Sequence, residues 1–372
     1  MVGEKKRQAK DKDKLKICFV APLPPPYGGI ANWMAMMCRY MDGEKKEEIS
    51  YEVINTAPKK RVTEGRTLWQ RIVGGGIEMF RVRKTLQNAS SNSQFDCVHI
   101  TTSGHLSFIR DRVVLSVAKK YKVKTLYHIR FGRVPCILQS VGWENILLKA
   151  NLKYSDYVVA IDQSTYQALQ QGGYGSKAYH IPLPINLKEL PDLMSEKEKI
   201  ISFVGWVVYT KGVEELLEAW DNILKDSTDW RMQLIGPCAE SYKQKLLAKY
   251  SCEQVEFCGE LSHEETLKRV NRSKIFVLPS HTEGFPNSVV EAMALGSVIV
   301  ATRVGAIPEM LDGECGYLTD KQDADSLEQA LREAMNAKNS EYGANARKKV
   351  KSEYEMQKVM EQYMKLWKSY RE

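Results

Sequence analysis

Short apolar runs recur along this chain, with stretches of helical spacing between them. The first, residues 16–21 (Lys-Ile-Cys-Phe-Val-Ala), predicts a buried strand. A loop rich in breakers follows through Gly28 and Gly29, and an apolar helical pattern then runs from Ile30 towards Met41. Residues 97–100, 125–129 and 157–161 predict further strands, each followed by a helical stretch. A second series begins with residues 200–205 and continues through 232–236, 275–279 and 298–302. Strands separated by helices imply parallel pairing and burial on both faces. The opening of strand, glycine loop and helix is that of a doubly wound α/β domain. The pattern therefore predicts an α/β chain of two doubly wound parallel-sheet (Rossmann-like) domains.

The boundaries follow from breaks in that pattern. Residues 1–16 read as a disordered basic arm and 17–184 as an N-terminal domain. Pro182, Pro184 and Pro191 stiffen the junction, and 185–199 reads as a linker. Residues 200–350 form the second domain. In 351–372 the large apolar residues Met356, Val359, Met360, Tyr363, Leu366 and Trp367 fall at helical spacing, which suits a C-terminal helix packing back on the first domain. Two similar halves facing one another would leave a cleft between them, a favoured place for a ligand.

Composition narrows the class. A chain of 372 residues exceeds the roughly 250–300 at which single cores stop growing, so two domains are expected. The eight cysteines form no Cys-x-x-Cys pair and the six histidines do not cluster with them. A disulfide framework or a structural zinc is disfavoured, and a reducing cytoplasm fits. No apolar run nears the ~20 residues that span a bilayer, and the lysine-rich start is followed by no signal region. The net charge of +8 suits either an anionic surface or simply solvated lysines.

The richest stretch is Pro279-Ser280-His281-Thr282-Glu283-Gly284-Phe285-Pro286-Asn287-Ser288-Val289-Val290-Glu291, running on to Gly296. A strand ends at Pro279, a loop carries Glu283 and Gly284, and Pro286 stands where a helix would start. That helix start would offer backbone N–H groups at the carboxyl end of a strand, a ready phosphate site. Glu291 falls about one and a half turns into the helix, roughly 8 Å along its axis. Two carboxylates so placed can take hydrogen bonds from separate hydroxyls of a polyol. Spacing alone fits solvated surface carboxylates equally well.

The Glu283-x7-Glu291 pattern with Glu-Gly-Phe-Pro inside it resembles the signature of the family 4 retaining glycosyltransferases of the GT-B fold. The likeness extends to Gly28-Gly29, Phe203-Val204-Gly205 with Lys211-Gly212, Gly259-Glu260-Leu261 and residues 301–309. It implies that Glu291 binds the ribose hydroxyls and that Glu283 sits against the transferred sugar. The backbone of Gly284, Phe285, Pro286 and Asn287 would lie near sugar and phosphate. Lys211 would neutralise the diphosphate, and Gly28 and Gly29 would let the backbone approach the donor. Gly259 and Leu261 would line the nucleobase, and His128 would face the donor sugar as a catalytic group beside Glu283 and Lys211. Many relatives carry arginine directly after the glycine of Phe203-Val204-Gly205, where this chain has Trp206. Arg130 and Arg303 are the candidates for the missing diphosphate cation.

The resemblance also implies a metal-independent hexosyl transfer with retention of configuration and no cofactor, the donor being a UDP- or GDP-sugar. Residues 66–84 mix Trp69, Phe80 and aliphatics with many arginines. That composition fits a helix lying on an anionic bilayer or an ordinary amphipathic helix. The first alternative suggests a lipid-linked saccharide acceptor in cell-surface polysaccharide synthesis, with the enzyme cytoplasmic and peripheral on the inner face of the membrane. The competing readings are a non-catalytic nucleotide-sugar-binding protein and an NAD(P)-dependent oxidoreductase. The latter is disfavoured because no Gly-x-Gly-x-x-Gly follows the first strand. A nucleic-acid partner is not expected, since the only basic stretch with aromatics is short.

Overall fold

The computed structural model describes residues 14–25, 28–57, 83–84, 86–88, 95–194, 196–226, 229–336 and 340–371. The basic stretch 66–84 lies outside them apart from Arg83 and Lys84, and so does nearly all of the expected N-terminal arm. No helix among the described residues is long and apolar enough to cross a membrane.

The described chain forms two compact units. The first runs to Ile181 and takes in the chain again from Glu361; the second is Pro182–Met360. Each unit is built on a six-stranded sheet whose neighbours all pair in parallel. In the first unit these are β1 (Leu15–Ala21), β2 (Ile49–Asn55), β3 (Cys97–Thr102), β4 (Lys124–Ile129), β5 (Tyr157–Ala160) and β6 (Ala178–His180), in the order β2-β1-β3-β4-β5-β6. In the second they are β7 (Glu198–Val204), β8 (Arg231–Ile235), β9 (Val255–Gly259), β10 (Ser273–Leu278), β11 (Val298–Thr302) and β12 (Gly316–Thr319), in the order β12-β11-β10-β7-β8-β9. The helices that matter below are α1 (Gly29–Glu44), α2 (Val213–Leu224), α3 (His263–Arg272), α4 (Asn287–Ala294) and α5 (Met356–Lys368).

The apolar runs read from the sequence are the inner strands. All six residues of β3 and all five of β11 are buried, as strands covered on both faces should be. Strands β2, β6, β9 and β12 fall outside those runs, and they are the four edges of the two sheets. β2, β6 and β12 mix buried with half-buried or exposed positions and β9 has no buried position, so their sequences carry no unbroken apolar signal.

The expected linker 185–199 is not a solvated tether. Ile185 is buried and forms a parallel bridge with Glu355. Its N–H donates to the Tyr354 carbonyl at 2.8 Å, and its carbonyl accepts from the Met356 N–H at 2.9 Å. β7 then begins at Glu198. Satisfying the polar backbone of a buried residue this way draws the stretch into the second unit. The apolar stripe of α5 is buried throughout, and the helix starts in the second unit and ends in the first. Within the first unit, the Trp367 ring meets Phe19 of β1 edge-on at 5.8 Å.

Candidate functional site

The motif stretch lies where β10 hands over to α4. Pro286 is the residue before the first turn of α4 and is buried, as is Phe285, whose ring packs edge-on against Tyr354 at 5.7 Å. Only the backbone of these two residues is left to face a ligand. Glu283 is half-buried in the loop, and Lys211 Nζ donates to its Oε1 at 2.5 Å. Gly284 and Asn287 are half-buried on either side of the Phe-Pro pair.

Two segments distant in sequence, 210–215 and 305–306, clasp this loop. Gly212 has φ +69°, and a Cβ there would fall 1.9 Å from the Pro279 carbonyl oxygen. Gly305, at φ +56°, would put a Cβ 2.5 Å from the carbonyl oxygens of Glu283 and Gly284, and the next residue, Ala306, donates its N–H to Gly284 at 2.8 Å. Only glycine allows backbone to approach backbone this closely. His281 completes the clasp: its N–H donates to the Thr210 carbonyl at 3.1 Å and its imidazole bonds Glu215 at 2.9 Å. Lys211 and Glu283 are thus held by rigid neighbours on both sides.

Glu291, the fifth residue of α4, bonds the imidazole of His263 at 2.8 Å. His263 is a site neighbour that the sequence reading missed. It opens α3, four residues after Gly259, but nothing in its spacing points to a carboxylate 28 positions on. Gly259 ends β9 with φ +68° and, like Leu261, is half-buried. Trp206 is exposed, and so is Arg303, whose side chain makes no ion pair among the described residues.

The candidates of the first unit fare differently. Gly28 and Gly29 are exposed at the start of α1, and a Cβ on either would meet nothing within 4 Å. Among the described residues nothing gives a steric reason for glycine there. His128 does not stand open at the end of β4 as expected. It is fully buried: its Nδ1 lies 3.1 Å from His99 Nε2, its Nε2 lies 3.3 Å from the Tyr363 hydroxyl, and Trp33 covers its edge. Strand alternation turns the imidazole to the face that α1 and α5 cover, so it cannot touch a sugar in this arrangement. Burial first, and then the Arg130 charge, push His99 down to about 3 and hold His128 well below the usual imidazole value. Both rings are neutral. Arg130, one of the two candidate cations, is half-buried over the Trp33 ring at 4.6 Å, with Nη1 buried and unpartnered. Burial lowers it to about 10, and it is a packed guanidinium rather than an open one.

Comparison with known proteins now bears on this geometry. A structure of Anabaena Alr3699/HepE in complex with UDP superposes with a TM-score of 0.71 over 96% of this chain and 100% of that one, at 15% identity. The chain has the GT-B glycosyltransferase fold. Residues 190–352, which carry Lys211, Glu283, Glu291 and the whole clasp, match the family model described as Glycosyl transferases group 1. An uncharacterized glycosyltransferase of Methanocaldococcus jannaschii is 25% identical over 272 residues, 67% of this chain and 69% of that protein. The capsular polysaccharide biosynthesis glycosyltransferase CapM of Staphylococcus aureus is 26% identical over 183 residues, 46% of each. The match to CapM thus spans under half of that relative's length. Within the GT-B fold, the group 1 segment holds every sequence-predicted site residue except Gly28, Gly29, His128 and Arg130.

Proposed function

We propose that this chain, with its GT-B fold, is a glycosyltransferase that moves a hexose, with retention of configuration, from a UDP- or GDP-sugar to an acceptor hydroxyl. The observation that carries the reading is the Lys211–Glu283 pair, fixed at 2.5 Å one short loop before the first turn of α4, with Glu291 one turn further on. A cation and a helix start meet a diphosphate, and two carboxylates meet hydroxyls. In this reading Glu291 takes the ribose hydroxyls, Glu283 the sugar, and the backbone of residues 284–287 the sugar and phosphate. Lys211 turns from Glu283 to the diphosphate, with Arg303 as a further cation. Gly28 and Gly29 leave room for the donor, and Gly259 and Leu261 flank the base. His128 acts only as a buried support. UDP in the HepE complex favours a uridine nucleotide.

In the reaction, the bond from the anomeric carbon to the diphosphate breaks and its electron pair goes to the phosphate oxygen. The acceptor oxygen bonds to the same face of that carbon, and its proton passes to the departing phosphate. The protein contributes position and positive charge where negative charge develops, and neither a metal nor a cofactor is required. The acceptor we favour is a lipid-linked saccharide of cell-surface polysaccharide, met at the inner face of the cytoplasmic membrane. CapM, named for capsular polysaccharide biosynthesis, favours that class.

A thermal-shift screen of the full chain against UDP-, GDP-, ADP- and CMP-sugars, NAD and NADP tests the donor. One nucleotide sugar at 100 times its dissociation constant should stabilise the protein by about 2.7 kcal/mol, and Glu291→Ala should abolish the shift. A shift with NAD alone would overturn the reading. Anomeric proton NMR of the product then tests retention.

A further inference from the structure

We propose that His263 is a positioning residue: its imidazole holds the Glu291 carboxylate in the orientation that receives the ribose hydroxyls of the nucleotide. The inference rests on the nucleotide-sugar reading above and adds to it a residue that no motif contains. An ionised carboxylate can only accept, so His263 Nε2 carries the proton in the 2.8 Å bond to Glu291 Oε1. Among the described residues no other side chain bonds Glu291. Its carboxylate lies in a half-buried place, at 22% exposure, on a side chain with three rotatable bonds. Left alone it would sample several orientations; with Oε1 held, Oε2 and the remaining lone pairs are aimed and free to accept from a diol.

The holder is itself held. His263 is the first residue of α3, whose start is fixed by the Ser262 hydroxyl accepting the Glu265 N–H at 3.2 Å. Leu267 and Val270 anchor the same helix in the core. The bond also joins α4 to the first turn of α3. Ordering a side chain before the ligand arrives removes part of the entropy cost of binding.

Isothermal titration of the full chain with UDP, GDP and ADP, each paired with its 2′,3′-dideoxy form, separates the outcomes. For the nucleotide that binds, His263→Ala should weaken affinity about three- to tenfold. It should leave the dideoxy form unchanged, because without ribose hydroxyls there is nothing for an aimed carboxylate to receive. His263→Gln, whose amide N–H can reach the same oxygen, should recover most of the loss. Wild-type affinity in His263→Ala, or equal weakening of the ribose and dideoxy forms, overturns the inference while the nucleotide-sugar reading stands. If Glu291→Ala binds the ribose form as tightly as wild type, the ribose role of Glu291 fails and the inference falls with it.

Discussion

Two half-buried carboxylates in the group 1 segment each meet one basic side chain, Lys211 at 2.5 Å and His263 at 2.8 Å. In the proposed reading Lys211 supplies positive charge where negative charge develops on the leaving diphosphate. Lys211→Met is therefore expected to lower turnover by about 10²- to 10³-fold, the usual cost of losing one charge stabiliser, with the melting temperature nearly unchanged. Steady-state kinetics beside a melting curve would check it. The buried histidines of the first unit make a separate prediction. Their folded pKa values lie below the unfolded 6.5, so the unfolded chain binds the extra protons. Stability from His99 is complete above pH 6.5 and is lost as pH falls from there towards about 3, and His128, held well below the usual imidazole value, adds a loss of the same sign as pH falls below 6.5. The slope is at most about 1.4 kcal/mol per pH unit for each ring. His99→Phe should flatten the acid limb of a urea-unfolding series between pH 6.5 and 4; an unchanged limb would place the acid sensitivity elsewhere.

At the scale of elements, the sheets explain which strands the chain announces. β3 and β11 are buried at every position and mostly apolar, whereas β2, β6, β9 and β12 pair along one side only and keep half-buried or exposed positions. An edge strand becomes a strand because a neighbour supplies its hydrogen bonds, which its own composition does not record. The turn into α2 depends on one residue in the same tertiary way. Gly212 combines φ +69° with a 1.9 Å approach to the Pro279 carbonyl. Gly212→Ala is expected to cost more than the ~1–2 kcal/mol of left-handed strain alone and to push Lys211 out of line. Melting temperature and nucleotide affinity should fall together. A variant that melts earlier but binds normally would show that the clasp does not set the Lys211 position.

At the scale of the molecule, each unit closes its own core, but the first does so with residues from the far end of the chain. Tyr363 and Trp367 are fully buried beside His99 and His128, more than 230 positions from the strands they cover. Trp220 plays the equivalent part in the second unit, fully buried on α2. Trp367→Ala should cost about 3–5 kcal/mol and speed hydrogen exchange in β1 and β3 before β7 and β10. Trp220→Ala should reverse that order. Equal acceleration in both sheets would mean the units open as one.

The sequence by itself determined the class, the two doubly wound units, the inner strands and the stretch that carries Glu283 and Glu291. These are local properties: a strand buried on both faces is mostly apolar along its length, and a loop that starts a helix has its breaker at a fixed offset. Tertiary structure alone decided the four edge strands, the absorption of the 185–199 stretch into the second unit and the burial of His128. It also decided the partner of each carboxylate, Lys211 coming from 72 positions away and His263 from 28. A side chain's neighbours across a fold depend on how distant segments pack, and no window along the chain contains both ends of that contact.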